Sequence, residues 1–214
     1  MKAIIKANLS FLFPYFLFIV VGAVLIAINT KTETHLVFNS FHNTFFDEVF
    51  YYMTFMGDGL TATLVVIMLL AVRFRYALIV GLSNSISALI TQLLKHTVFA
   101  DVVRPKKFFE GIHDLYFVPG VDNYFYNSFP SGHATCAFSL YLALALLVKN
   151  KTWKLLFFIL ALLIGYSRIY LSQHFFEDVY AGSLIAVIIT LITFYFIQKS
   201  DKAWLDKSLI TIFK

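Results

Sequence analysis

The stretch SFPSGHATCAFSLYLALALLV, residues 128–148, turns from polar to apolar after His133. From Ala134 to Val148 it carries no charge, and a bilayer's hydrocarbon core takes about 20 such residues to cross as a helix. Five more stretches share that character: Leu9–Asn29, Gly59–Val72, Tyr76–Val98, Trp153–Tyr170 and Val179–Gln198, with Ser131–Val148 as the fourth in chain order. Gly59–Val72 is short, and the amphipathic stretch before it extends it. The expected fold is all-α: a polytopic membrane protein with six transmembrane helices, forming one domain over residues 1–214. The first apolar region is too long for a cleaved signal peptide, and no small-x-small cleavage site follows it before Thr30, so it is expected to be retained.

Composition agrees. Of 214 residues, 60% are hydrophobic and 14% charged, whereas soluble domains are nearer half apolar and a quarter charged. The mean hydropathy is +0.79. The single cysteine, Cys136, excludes an internal disulfide and a cysteine-based metal cluster. Lying in an apolar run, it reads as a small buried hydrophobe. No internal repeat or low-complexity linker interrupts the chain.

The net charge of +5 is explained by its distribution. With a cytoplasmic N-terminus, 11 of the 17 basic residues lie on the inside: Lys2, Lys6, Arg73, Arg75, Lys149, Lys151, Lys154, Lys199, Lys202, Lys207 and Lys214. Ten of the 12 acids lie outside, all but Asp201 and Asp206. The positive-inside rule then sets both termini in the cytoplasm. The basic excess is topological, and no nucleic-acid partner is expected. All six histidines (His35, His42, His96, His113, His133 and His174) fall on the outer side. A midplane ion pathway would instead bury its polar groups within the spans.

Two stretches read as surface-lying amphipathic helices. One carries Phe38, Phe41, Phe45, Val49, Tyr52 and Met53 at three- and four-residue spacing; the other is the tail AWLDKSLITIFK, residues 203–214.

Three polar clusters meet the outer interface: KHTVFADVVRP (95–105), SFPSGH (128–133) and YSRIYLSQHFFEDV (166–179). Together they suit a phosphate. Lys95, Arg104 and Arg168 bring positive charge, and the two guanidinium forks match phosphate oxygens bidentately. Ser131 offers a hydroxyl, and Gly132 lets the backbone approach a ligand. Both belong to the first turn of a helix, where free N–H groups and the dipole favour an anion. Pro130 suits the first helical position. His174 and Asp178, four apart, share a helix face. Asp178 can accept the Nδ1 hydrogen of His174, leaving Nε2 bare for attack. His133, with no acid at matching spacing, is placed to give a proton to a leaving oxygen. Taken singly, an arginine at a span end snorkels to headgroups and a histidine at a helix start caps it. Three clusters on one interface, with complementary roles, point to phosphate chemistry.

These motifs resemble the type 2 phosphatidic acid phosphatase (PAP2) superfamily, which includes bacterial undecaprenyl-diphosphate phosphatases and lipid A phosphatases. The family pattern is a lysine-containing segment ending in Arg-Pro, then Pro-Ser-Gly-His, then Ser-Arg followed by a histidine and an aspartate. Here these are Arg104-Pro105, Pro130-Ser131-Gly132-His133, and Ser167-Arg168 with His174 and Asp178. The resemblance implies His174 as nucleophile through a phosphohistidine, His133 as proton donor and Asp178 as the residue orienting His174. It implies Lys95, Arg104, Ser131, Gly132 and Arg168 as phosphate ligands, with no metal and no other cofactor. The carboxylates near the clusters are also too few for a two-metal cage. In the family the lysine stands seven residues before the arginine, a position held here by Thr97. Lys95, nine before Arg104, takes the role if the turn holds a two-residue insertion; Lys106 or Lys107 takes it otherwise.

The expected partner is a membrane lipid phosphate in the bilayer: undecaprenyl diphosphate, phosphatidylglycerophosphate or phosphatidic acid. The expected location is a bacterial inner membrane, with the site on the outer, periplasmic face. The loop FFEGIHDLYFVPGVDNYFYNSF, residues 108–129, supplies either an aromatic anchoring belt or a lipid-chain entrance. Other readings are a lipid A phosphatase or phosphotransferase of the same superfamily, a lipid or anion transporter using the basic cluster only for binding, and a vanadium-dependent oxidant enzyme. The transmembrane layout speaks against the last.

Overall fold

The computed structural model describes residues 2–212; Lys214, counted above among the inner-side basic residues, lies outside them, as does Phe213. The chain is all-helical, and among the described residues no strand forms. In order the helices are α1 (Lys2–Ala7), α2 (Leu9–Ile28), α3 (Lys31–Ser40), α4 (Thr44–Met53), α5 (Gly59–Val72), α6 (Phe74–Thr97), α7 (Pro105–Phe108), α8 (Gly132–Leu147), α9 (Lys151–Tyr170), α10 (Phe176–Gln198) and α11 (Leu209–Ile212). A 3₁₀ turn, Thr54–Gly57, joins α4 to α5.

Among the described residues four helices, α2, α6, α9 and α10, are long and apolar enough to cross a bilayer. A fifth crossing forms if Thr44–Gly57 and Gly59–Val72, bent by 53°, are taken together. The sixth stretch, α8, has only 16 residues, about 24 Å of helix against a hydrocarbon core of about 30 Å. Its surroundings explain the shortness. Ala134, Ala137, Phe138, Leu142, Ala143 and Ala145 are all fully enclosed, so α8 is packed against protein along most of its surface and needs no lipid-matched length. Its alanines let neighbouring helices approach closely. The outward face of α2 is the opposite case, with Phe13, Phe16, Leu17, Val20, Val21 and Val24 exposed, an apolar band suited to lipid.

At the end of the bundle away from the histidines, two of the basic residues counted for topology serve as ties. Arg75 is buried and donates to Asp206 at 2.8 and 2.9 Å and to the carbonyls of Ile197 and Ser200. It thereby joins the start of α6 to the end of α10 and the tail. Lys154, also buried, donates to Ala7 O and Asn8 Oδ1, fixing α9 to the α1–α2 junction.

The two surface stretches are not continuous helices. The first breaks at Phe41–Asn43, because Asn43 Oδ1 accepts the Phe46 N–H and caps a new helix. Phe41, Phe45 and Tyr52 stay exposed, while Phe38 packs on Tyr166 and Phe176. The tail holds two four-residue turns, Ala203–Asp206 and Leu209–Ile212. Ser208 starts the second, its Oγ accepting the Thr211 N–H.

Candidate active site

Four helix ends meet at one end of the bundle: the last turn of α6, the first turn of α8, the last turn of α9 and the first turn of α10. The loop Leu171–Phe175 between α9 and α10 is the keystone. Its turn brings the N–H groups of Gln173 and His174 back onto Arg168 O at 3.0 and 3.1 Å. Ser172 takes a left-handed φ of 52°, uncommon for a side-chain-bearing residue. Two residues of α3 support it: His35 Nε2 lies 3.3 Å from Ser172 Oγ, and Asn39 Nδ2 donates to the same oxygen at 3.1 Å.

His174 is 1% exposed and Asp178 3%. His174 Nδ1 stands 3.2 Å from Asp178 Oδ2. A carboxylate only accepts, so Nδ1 carries the hydrogen and Nε2 keeps its lone pair. Burial, with the positive charges of Arg104, Lys95 and Arg168 behind it, holds His174 well below the usual imidazole range. The ring is therefore neutral, with the Nε2 lone pair free. Oδ2 also accepts the Phe175 N–H at 3.0 Å and the Ser128 hydroxyl at 2.5 Å. The Asp178 carbonyl takes the Ser131 N–H at 2.9 Å. One residue thus caps α10, orients His174 and joins the first turns of α8 and α10.

The cationic side is equally fixed. Lys95 is buried at the end of α6, its charge acting on His174 together with those of Arg104 and Arg168. Arg104 Nε donates to Tyr126 O at 2.9 Å, and Nη1 reaches Gln173 O at 3.1 Å and Gln173 Oε1 at 3.3 Å. Burial draws Arg104 below its ordinary value while Asp178 and Tyr124 pull it back; a guanidinium stays charged in either case. Arg168, 6% exposed, donates to Thr54 Oγ1 and to Gln173 Oε1 at 3.2 Å, and its Nε has no partner among the described residues. A buried guanidinium donor without an acceptor suits an anion that arrives from outside. Lys106 and Lys107 lie on the surface, Lys106 over the Phe125 ring and Lys107 paired with Glu110 at 2.5 Å. Thr97 is exposed, with its hydroxyl on Leu93 O.

Ser131 caps α8, its Oγ accepting the Ala134 N–H at 3.4 Å, and its carbonyl takes the Thr135 N–H. The amides of Gly132 and His133 head the helix with no protein acceptor among the described residues, and they are open to an anion. A Cβ built on Gly132 would meet nothing within 4 Å, so this first turn faces free space. His133 and Gly132 line a cavity of about 530 Å³ between α5, α6 and α8. Lys95 and Arg104 line a second, of about 480 Å³, with Tyr124, Phe125 and Tyr126. Gln92 belongs to both.

Sequence reasoning missed three partners. Gln173 accepts from both arginines and is 3% exposed. Its adjacency to His174 was the available signal. Ser128 lay inside a recognised cluster without a role. Thr54 comes from a segment read only as amphipathic, and nothing local marks it. The aromatic loop is also divided: Phe109 is buried against His35 and Phe175, Tyr116 donates to Asp47 at 2.6 Å, and only Tyr124–Tyr126 are bare. Among the described residues no group of three or more His, Cys, Asp or Glu side chains is placed to hold a metal ion.

Residues 76–202 match the sequence profile of the PAP2 superfamily. The bacitracin transport permease protein BcrC of Bacillus licheniformis is 39% identical over 69 residues, 32% of this chain and 33% of that protein. The chain thus spans about a third of the length of that relative. The crystal structure of Aquifex aeolicus LpxE superposes with a TM-score of 0.68 at 26% identity, over 77% of this chain and 94% of that one. The first transmembrane PAP2 type phosphatidylglycerolphosphate phosphatase from Bacillus subtilis shares the fold, with a TM-score of 0.63 at 24% identity over 88% and 96% of the two chains.

Proposed function

Because the chain belongs to the PAP2 superfamily, we propose that it is an integral-membrane lipid phosphatase working through a phosphohistidine. The observation that carries this is the buried His174–Asp178 pair, 3.2 Å apart and fronted by Lys95, Arg104 and Arg168. His174 Nε2 attacks phosphorus as the phosphate rests on the three cations and the first-turn amides of α8. His133 protonates the leaving oxygen. Water then attacks the phosphohistidine, with His133 taking its proton, and inorganic phosphate departs. Positive charge gathers where the transition state is most negative, which is where electrostatic catalysis gains most. Cationic side chains take the place that Mg²⁺ fills elsewhere, so the reaction is proposed to be metal-independent.

The same reading takes residues 1–214 as one domain with six spans and both termini cytoplasmic. In a bacterium this sets the site at the outer face of the inner membrane. The substrate is the phosphate of a membrane lipid, as monoester or diphosphate. One observation favours a second reading: the Bacillus licheniformis relative is described as a transport permease. A transporter using the cluster only for binding needs Lys95, Arg104 and Arg168 but not His174. The deciding experiment incubates purified protein with ³²P-labelled lipid phosphates, traps protein-bound label, and measures phosphate release. Wild type should release phosphate and hold acid-labile label, and His174→Ala should do neither. Full activity in His174→Ala would remove the phosphatase mechanism.

A further inference from the structure

The two cavities that meet at Gln92 differ in charge, and the difference bears on what leaves the phosphorus. His133, the proposed proton donor, must face the leaving oxygen, so the leaving group occupies the cavity that His133 lines. Lys95 and Arg104 line the other one. Among the described residues no lysine or arginine lines the His133 cavity, and its ionisable wall residues other than His133 are Asp58 and Cys136. Asp58 is exposed to the cavity space as the N-cap of α5. Below this mouth the α5 wall is apolar at Val66 and Ile67, while the α6 wall carries Asn84 and Ser85 before Gly81. From Gln92 to Gly81 the α6 wall descends roughly 16 Å, about half the hydrocarbon core. A volume of about 530 Å³ is within the range of small-molecule sites, about 300–1,000 Å³.

From this arrangement we infer that the His133 cavity is a leaving-group subsite for an uncharged, hydroxyl-bearing lipid alcohol, with Asp58 as its specificity-determining residue. The substrate class is then a lipid phosphomonoester rather than a lipid diphosphate. This rests on the phosphatase reading above. For a monoester, His174 Nε2 forms the P–N bond, the P–O bond to the alcohol breaks, and His133 supplies the proton that makes the oxygen a neutral hydroxyl. That hydroxyl remains beside Asp58 and Gln92, which can bond it, and the tail lies along Val66 and Ile67. For a diphosphate the departing group is a lipid monophosphate. Its negative charge would be released into a cavity with a carboxylate and no lysine or arginine on its wall, and like charges brought together are disfavoured.

The test compares two probes with one tail, dioleoylglycerol monophosphate and dioleoylglycerol diphosphate, in the same detergent micelles, with initial phosphate release by wild type and Asp58→Asn. The diphosphate has the better leaving group chemically, so a pocket without preference would favour it. The expected result is a wild-type kcat/KM at least about tenfold higher on the monophosphate, a difference of about 1.4 kcal/mol. Asp58→Asn should raise kcat/KM on the diphosphate itself by a similar factor. A wild type that prefers the diphosphate overturns the inference, whether or not the variant folds. So does an Asp58→Asn that folds and gains nothing on the diphosphate. Phosphate release from neither probe, at the level of His174→Ala, would instead overturn the phosphatase reading.

Discussion

Replacing Asp178 by asparagine isolates one charge. Three hydrogens, from His174 Nδ1, Phe175 N and Ser128 Oγ, all converge on Oδ2. An asparagine can present its carbonyl oxygen to the same three, so the cap on α10 and the loop geometry survive. What is lost is the negative charge facing His174, which in the proposed mechanism becomes positive as Nε2 bonds to phosphorus. Two unit charges 3.2 Å apart interact by about 5 kcal/mol at an effective dielectric of about 20. Both side chains are almost wholly buried, at 2% and 4% exposure, so solvent screening removes little of it. Asp178→Asn should therefore lower kcat by roughly 1,000-fold or somewhat more. KM should change by less than about threefold, because no phosphate oxygen is expected to touch the carboxylate. The assay is steady-state phosphate release in detergent, with thermal unfolding measured alongside. A kcat within tenfold of wild type would refute the assignment of Asp178 as the counter-charge of the attacking imidazole. An equally large rise in KM with kcat intact would move its role to binding.

Four further outcomes are expected. Burial holds His35 down to about 4, so from about pH 6.5 downward the unfolded chain binds a proton that the folded chain refuses until about pH 4. Stability should accordingly be full above pH 6.5 and fall by roughly 3 kcal/mol toward pH 4; His35→Gln should flatten that part of a Tm-against-pH curve, and an unchanged slope would refute it. A Cβ on Gly182 would stand 2.6 Å from Ser131 O and 2.9 Å from Thr135 Oγ1, so Gly182→Ala should cost about 1–3 kcal/mol and displace the first turn of α8, reducing activity more than Gly59→Ala, where the space is open. Phosphate release should survive excess EDTA and be inhibited by vanadate, a mimic of five-coordinate phosphorus; loss on chelation with rescue by Mg²⁺ would refute the metal-free scheme. A cysteine at exposed Asp114, in a Cys136→Ser background, should label in intact cells with a membrane-impermeant thiol reagent, and labelling only after lysis would invert the proposed topology.

The helices were legible because their signals are local. A run of apolar residues long enough to cross a bilayer is visible without neighbours, and α2, α6, α9 and α10 begin and end within a few residues of where hydropathy sets them. The breaks were harder. Asn43 ends the first amphipathic stretch by capping the next helix, a choice between two helical registers that spacing alone does not make. Ser208 divides the tail in the same way.

The site divides along a similar line. His174 and Asp178 lie four positions apart, so a bond between them was readable, but not as the shared helix face that the spacing suggests: His174 precedes the cap of α10, and Asp178 reaches back to it from the first turn. Lys95 stands two positions away from the family spacing, yet it is buried with the cluster while Thr97 is exposed, its hydroxyl on Leu93 O; rotation about the helix axis, not distance along the chain, separates the two. The residues that were missed act across large separations: Thr54 reaches Arg168 over 114 positions and Ser128 reaches Asp178 over 50. Such contacts exist only once the helix ends have met. Gln173 shows the difference most clearly. Its position beside His174 is plain in the sequence, but a neutral side chain accepting from two buried guanidiniums becomes necessary only when Arg104 and Arg168 have been brought to the same place. Like charges held that close need an acceptor between them, and a motif read for its reacting groups passes over the residue that supplies it.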